Sequence, residues 1–281
     1  QIKSRTAVNE NFDAKIWGGE IEASYEPIPG LRFNFSSGYE HTRVAPGQKS
    51  IDQMDLTDGD PNGVVVRPPI PLPDSCIVPA AMIAQIVMQG VRQAKITLGE
   101  NAVVCGLGLL GQLTVALARH AGAWPVIGVD LEPFRRQMAL EMGATAVNGI
   151  ESAAENIGLL TDHLMADVLF EVTGNPKAIP SSLAWVRRMG RFILVSSPTG
   201  PTTVDFHDLI NARGTVIIGA HNYTHPMVAN EYNRWTRQAD TELYLRLAEA
   251  GLLRVSRLIT HRFLSAKAPD AYEQLLNNRA S

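Results

Sequence analysis

The stretch Asn101–Gln112, NAVVCGLGLLGQ, decides how the rest of this 281-residue chain is read. Four apolar residues lead into a glycine-rich turn, and an apolar segment with helical spacing follows. Gly106, Gly108 and Gly111 fit the spacing G-x-G-x-x-G. The first glycine allows a tight turn out of a strand, the second lets a pyrophosphate approach the backbone, and the third lets the helix sit close to the strand. Phosphates then meet free N–H groups at the positive end of the helix. Such a motif is weak by itself, but here it lies inside a β-α-β unit that ends in VIGVD. Asp130 follows Gly111 by nineteen residues. A carboxylate there can accept hydrogen bonds from both adenosine ribose hydroxyls and repel a 2′-phosphate, which favours NAD over NADP. Equally, Asp130 can cap a helix starting at Pro133. Arg135 and Arg136 complicate the preference, because a guanidinium can stack on adenine or neutralise a phosphate.

Outward from this turn, strand-like and helical segments alternate. NAVVCG, PVIGVD, TAVN, DVLFEV, RFILVS and TVIIGA read as strands. Helical segments are expected over Leu109–His120, Pro133–Met142, Glu155–Met165, Ala178–Arg188 and roughly Asp205–Ala212, with AAMIAQIVMQGVRQA packed beneath the sheet. Near-continuous Val/Ile/Leu strands separated by helices imply an α/β fold with a parallel sheet buried on both faces. Six strands would complete two mononucleotide-binding halves, a doubly wound Rossmann sheet. After Ala220 the sequence predicts a polar helix over Ala229–Ala250, a strand at RLITHRF and a short helix from Pro269 to Asn277.

The first quarter has a different texture. GGEIEASYEPIPGLRFNFSSGYEHTRV alternates apolar and polar residues on both sides of a Pro/Gly turn, a hairpin pattern. Residues 44 to 75 are polar and rich in turn formers and prolines, and read as an irregular connection. The expected organisation is therefore an N-terminal hairpin and irregular segment (1–75), a Rossmann domain (76–225) and a C-terminal helix-strand-helix segment (226–281).

Composition bounds the function. With 45% hydrophobic and 19% charged residues and a net charge of −3, the chain can bury a sizeable core and gives no reason to expect nucleic acid as partner. No uncharged apolar run reaches the length of a membrane-spanning helix, so none is expected, and no membrane partner for the Rossmann part; its cysteine usage reads as cytoplasmic. Two cysteines, Cys76 and Cys105, cannot build a disulfide framework or a four-cysteine zinc site, and Cys105 is expected to be buried in its strand. The start at Gln and the ending NNRAS are consistent with a fragment.

The candidate cofactor set is Gly106, Gly108, Leu109, Leu110, Gly111, Asp130 and Arg135, joined by Thr173 in FEVTGNP, where ligands lie outside strand ends. Asn175 and Pro176 give that segment an alternative reading as a simple turn into a helix. Ser196 and Ser197 end the fifth strand similarly, and His221 follows the sixth. His120 suits a helix C-terminus, and Arg187, Arg188 and Arg191 read as a solvated helix end.

With these residues in view, VVCGLGLLGQLTVALARHAGA, VIGVDLEPFRRQMALEMGA, DVLFEVTGNPKAI, MGRFILVSS and LITHRF…APDAYEQLL resemble the zinc-type medium-chain alcohol and polyol dehydrogenases, from about Pro79 to Asn277. The resemblance implies a Rossmann domain, NAD, zinc and a small-molecule alcohol substrate, with Arg135 at the adenosine end, and it is compatible with a homo-oligomer. The Gly-His-Glu motif and zinc-ligand cysteines of that family are not found: His41 follows its Glu, and Cys76 has no ligand partners at metal spacing. The catalytic half thus reads as missing or replaced, no metal ligand is assigned, and the catalytic residues stay unassigned. WGGEIEASYEPIPGLRFNFSSGYEHTRV, with the segment after it, resembles the barrel portion of TonB-dependent outer-membrane receptors. That leaves a second reading, a non-catalytic chimera with a receptor-derived N-terminal part.

Overall fold

The structure is a computed structural model and describes residues 2–11, 14–28, 31–44, 77–230, 233–263 and 267–277. The chain divides into two units, Gln1–Pro68 and Pro69–Ser281. The irregular connection expected over residues 44 to 75 lies outside the described residues except at its first position.

In the first unit, β1 (Ile2–Asn11), β2 (Ala14–Ile28) and β3 (Leu31–Val44) form an antiparallel sheet in that order. The expected hairpin is present: Tyr25 stands opposite Phe33 and Ala23 opposite Phe35, with a register irregularity between Tyr25 and Ile28. The strand β1, paired along its whole length with β2, was not anticipated.

In the second unit, helix α1 (Ile77–Ala94) precedes an alternation of strands and helices. These are β4 (Ala102–Cys105), α2 (Leu109–His120), β5 (Val126–Val129), α3 (Pro133–Glu141), β6 (Ala146–Asn148), α4 (Ala153–Leu160), β7 (Ala166–Glu171), α5 (Ala178–Ala184), β8 (Val186–Leu194) and β9 (Val216–Gly219). The six strands are parallel and ordered β6-β5-β4-β7-β8-β9. The order reverses between β4 and β7, and a cleft forms at such a switch point outside the strand ends.

The physical reason for the parallel sheet lies in its central strands. Every residue of β4 and β5 is buried, because helices cover both faces. One core layer joins Val104, Leu113 and Phe170 to α1, and the other joins Val103, Ile127 and Leu183. Fully burying a side chain such as Leu113 or Phe170 contributes about 1.5–3 kcal/mol.

Four local expectations need correction. Arg187 and Arg188 belong to β8, since α5 ends at Ala184. They are not a solvated helix end: Arg187 pairs with Asp167, Arg188 donates to the Ala212 carbonyl at 3.2 Å, and Arg191 pairs with Glu100. Helix α4 runs two residues earlier than expected and stops at Leu160, because Asp162, His163 and Met165 take positive φ. The polar helix α6 (Arg237–Glu249) starts only at Thr236, whose hydroxyl caps the Ala239 N–H at 3.2 Å. RLITHRF forms no strand: it opens with a 3-10 turn at Val255–Leu258, and none of the described strands pairs with it. The final helix α7 (Ala268–Asn277) matches the sequence reading closely, whereas Asp205–Ala212 holds a π turn at His207–Asn211.

Candidate functional site

The glycine turn is built as its spacing requires. Gly106 has φ +94°, and a Cβ there would lie 2.9 Å from the Thr173 backbone nitrogen. A Cβ on Gly111 would overlap the carbonyl oxygen of Gly106. At Gly108 a Cβ would meet nothing within 4 Å, so the space in front of the turn is open. Gly108 is also the N-cap of α2, and no side chain caps that helix. The first-turn N–H groups of α2, beginning at Leu109 and Leu110, are therefore offered to a ligand without a competing side chain. A phosphate group fits this cradle.

Asp130 ends β5 and is 8% exposed. Its Oδ2 accepts the Leu107 N–H at 2.7 Å and its Oδ1 accepts the Glu132 N–H at 2.8 Å. The carboxylate thus ties the glycine turn to the turn after β5. The helix-cap reading of Asp130 needs correction, since Glu132 is the N-cap of α3. Arg135 Nη1 stands 4.0 Å from Asp130 Oδ2, at the same mouth. Arg136 instead donates to the carbonyls of Asp130 and Leu131, at 2.7 and 2.8 Å. Gln112, which sequence reasoning passed over, donates to the carbonyls of Leu107 and Arg135, both at 2.9 Å.

At the ends of β7 and β8 a cleft of about 290 Å³ opens, with Leu110, Thr173, Gly174, Ser196, Ser197 and His221 among its lining residues. Four candidates from different elements, Leu110, Thr173, Ser196 and His221, are thereby brought together. Asn175 caps the turn rather than the helix: its Oδ1 accepts the Lys177 N–H at 3.0 Å, and Lys177 is the N-cap of α5.

Behind the cleft wall lies a residue the sequence did not single out. Glu171 is fully buried at the end of β7. Its Oε1 accepts the Thr173 N–H at 2.9 Å and the Thr173 hydroxyl, and its Oε2 accepts the Ser196 hydroxyl. A Glu closing an apolar strand immediately before Val-Thr-Gly is the available signal. Next to it in the sheet, Cys105 is buried as expected, and burial with the charges of Glu171 and Asp130 pushes its thiol up to about 12.

A second polar cluster joins α1 to α6. Asp240, wholly buried, accepts from Arg92 (Nη2 at 2.6 Å) and lies 3.1 Å from His225 Nε2. Arg92 also stacks on Trp235, 3.4 Å from its ring centroid. His120, at the end of α2, sits 2.9 Å from the Leu252 carbonyl. Among the described residues no group of three or more His, Cys, Asp and Glu could hold a metal. Cys76 lies outside them, and His41 falls on β3. The described residues do not supply a zinc ligand set, and no step is derived through zinc. None of the described helices is long and apolar enough to cross a membrane.

A parallel sheet in this order with a glycine turn at its first strand end is a Rossmann-type domain. In sequence, the Zinc-binding dehydrogenase family model matches residues 110–238. Sorbitol dehydrogenase from Bacillus subtilis is 30% identical over 213 residues, covering 73% of this chain and 56% of that protein. L-threonine 3-dehydrogenase from Bacillus licheniformis is 30% identical over 169 residues, covering 59% of this chain and 45% of its own length. Alcohol dehydrogenase TADH from Thermus sp. ATN1 shares the fold with a TM-score of 0.61 at 20% identity, over 75% of this chain and 59% of that one. Residues 110–238 are thus similar in sequence to zinc-binding dehydrogenases, and the second unit shares its fold with an alcohol dehydrogenase. The chain spans about half the length of the curated relatives it matches.

Proposed function

We propose that the Pro69–Ser281 unit is the NAD-binding half of an alcohol or polyol dehydrogenase. The observation that carries this is the uncapped N-terminus of α2 behind the open space at Gly108, with Asp130 at the neighbouring strand end. Gly106, Gly108, Leu109, Leu110 and Gly111 would hold the pyrophosphate, Asp130 the adenosine ribose, Arg135 the adenine side, and Thr173 the wall of the nicotinamide half. Bound NAD⁺ supplies a hydride acceptor, so that a secondary alcohol yields a ketone, NADH and a proton. The residues described here bind and orient that acceptor, and the group that takes the alcohol proton is not assigned among them.

Isothermal titration with NAD⁺ and with NADH tests the reading, followed by alcohol-dependent NADH formation on the same sample. Saturable binding of both forms is expected. Absence of binding at millimolar ligand would end the proposal, and binding without turnover would restrict it to a cofactor-binding module.

A second reading for the first unit rests on the three antiparallel strands of 10, 15 and 14 residues. Strands of that length are sufficient to cross an outer membrane when tilted, which favours a barrel-derived origin for this part. Reconstitution of the isolated segment with outer-membrane lipids, read by protease protection, distinguishes it from an ordinary soluble sheet.

A further inference from the structure

The cleft at the ends of β7 and β8 has one buried carboxyl group, that of Glu171, directly behind its wall. Apart from His221, its lining residues carry no ionisable group. Glu171 contacts the lining residues Thr173 and Ser196 and is itself fully buried. Its three side-chain partners are the Thr173 N–H, the Thr173 hydroxyl and the Ser196 hydroxyl, all neutral, and among the described residues it forms no ion pair. Hydroxyls and an amide can satisfy the lone pairs of a carboxylate, yet they leave its net charge in place. A charge shielded by neutral donors in a dry interior acts over a longer range than one screened by water.

From this placement we infer that Glu171 biases the nicotinamide half of the cleft towards the oxidised cofactor. The inference rests on the NAD-binding reading above. The two forms of the cofactor differ at this end by one charge: the oxidised pyridinium is cationic and the reduced dihydropyridine is neutral. A fixed anion behind the cleft wall attracts the first and is indifferent to the second. In the parent fold the second mononucleotide half, which β7 and β8 belong to, receives this end of the dinucleotide. Binding energy that differs between the two forms shifts the equilibrium between them on the protein. Glu171 is thus a positioning residue in two senses: it holds Thr173 and Ser196 in place, and it sets the field that they face.

The test is a pair of dissociation constants on the full chain, NAD⁺ by calorimetry and NADH by fluorescence, for the protein as it stands, Glu171→Gln and Ser196→Ala. The ratio of the two constants is the readout, because a structural lesion that merely loosens the cleft weakens both forms together. Glu171→Gln should shift the ratio towards NADH by roughly three- to tenfold, within what a single charge exerts at intermediate dielectric. Ser196→Ala, which keeps the charge, should leave the ratio unchanged even where both constants rise. An unaltered ratio in Glu171→Gln, with both forms still bound, overturns the inference and leaves the NAD-binding reading standing. Failure of the unaltered protein to bind either form removes that reading and the inference with it. Should Glu171→Gln not fold, infrared difference spectra of the ¹³C-glutamate-labelled protein carry the same test. A carboxylate band that differs between the NAD⁺ and NADH complexes supports it, and identical bands overturn it.

Discussion

Gly108 and Gly111 are three residues apart and should respond oppositely to the same added methyl group. At Gly111 the methyl collides with the Gly106 backbone, which cannot move aside. Gly111→Ala should therefore cost more than about 2 kcal/mol, visible as a lowered Tm. At Gly108 the methyl enters open space, so Gly108→Ala should leave Tm nearly unchanged while weakening NAD(H) binding severalfold by titration. A loss of stability in both variants would show that the open space is needed by the fold and not by a ligand. Asp130→Gly removes the acceptor for the Leu107 and Glu132 N–H groups and the proposed ribose ligand together. It should weaken NAD binding and narrow the preference over NADP, and an unchanged preference in competition titrations would count against the ribose role.

Helices α1 and α6 meet through the Arg92–Asp240–His225 cluster, and their stability should depend on pH through His225. Burial lowers the His225 value from its ordinary 6.5, outweighing the opposing pull of Asp240, while Arg237 and Arg92 add to the lowering. Above pH 6.5 the ring is neutral in both folded and unfolded chains and contributes no pH dependence. As pH falls through 6.5 the unfolded chain takes up the proton first, so stability drops until the folded value is reached. As pH falls through 6.5, the Tm of the unaltered protein should drop more steeply than that of His225→Gln. Asp240→Asn should cost about 2–3 kcal/mol in denaturant unfolding, less than for a fully buried pair because the Arg92 side chain is 29% exposed.

Elements also show where sequence reading succeeds and fails. The central parallel strands were legible because a strand covered on both faces must be a short run of apolar residues, as AVVC and VIGV are. The glycine turn was legible because steric demands on the backbone restrict which residues can stand at Gly106 and Gly111. RLITHRF misled because alternation describes a side-chain pattern, whereas a strand also needs a neighbour with free backbone groups. Arg187 and Arg188 looked like a helix end because charge was read as exposure, while their partners Asp167 and Ala212 are distant in sequence. Glu171 was missed for a related reason: its burial is tolerable only because Thr173 and Ser196 converge on it, and Ser196 comes from the turn after another strand.

At the scale of the whole molecule, the two units predict separable behaviour. The core of the Pro69–Ser281 unit is drawn from residues between Ala80 and Val255. A chain reduced to residues 69–281 should unfold in one cooperative calorimetric transition and bind NAD(H) within about twofold of the full chain, the tolerance expected when no contact of the site is removed. Loss of the transition on removing residues 1–68 would make the first unit part of the second one's folding. The family match, residues 110–238, lies within the second unit.

The contact between α1 and α6 has a topological meaning as well. These helices stand at opposite ends of the Rossmann sequence, yet Arg92 and Asp240 clasp them side by side. A chain that enters and leaves a domain through neighbouring helices forms a closed loop of structure, and such loops can be spliced into a host without stretching it. The Asp240 clasp would then act as the seam of a transplantable module. Moving residues 77–258 into a surface loop of an unrelated protein should preserve the glycine turn and its cleft.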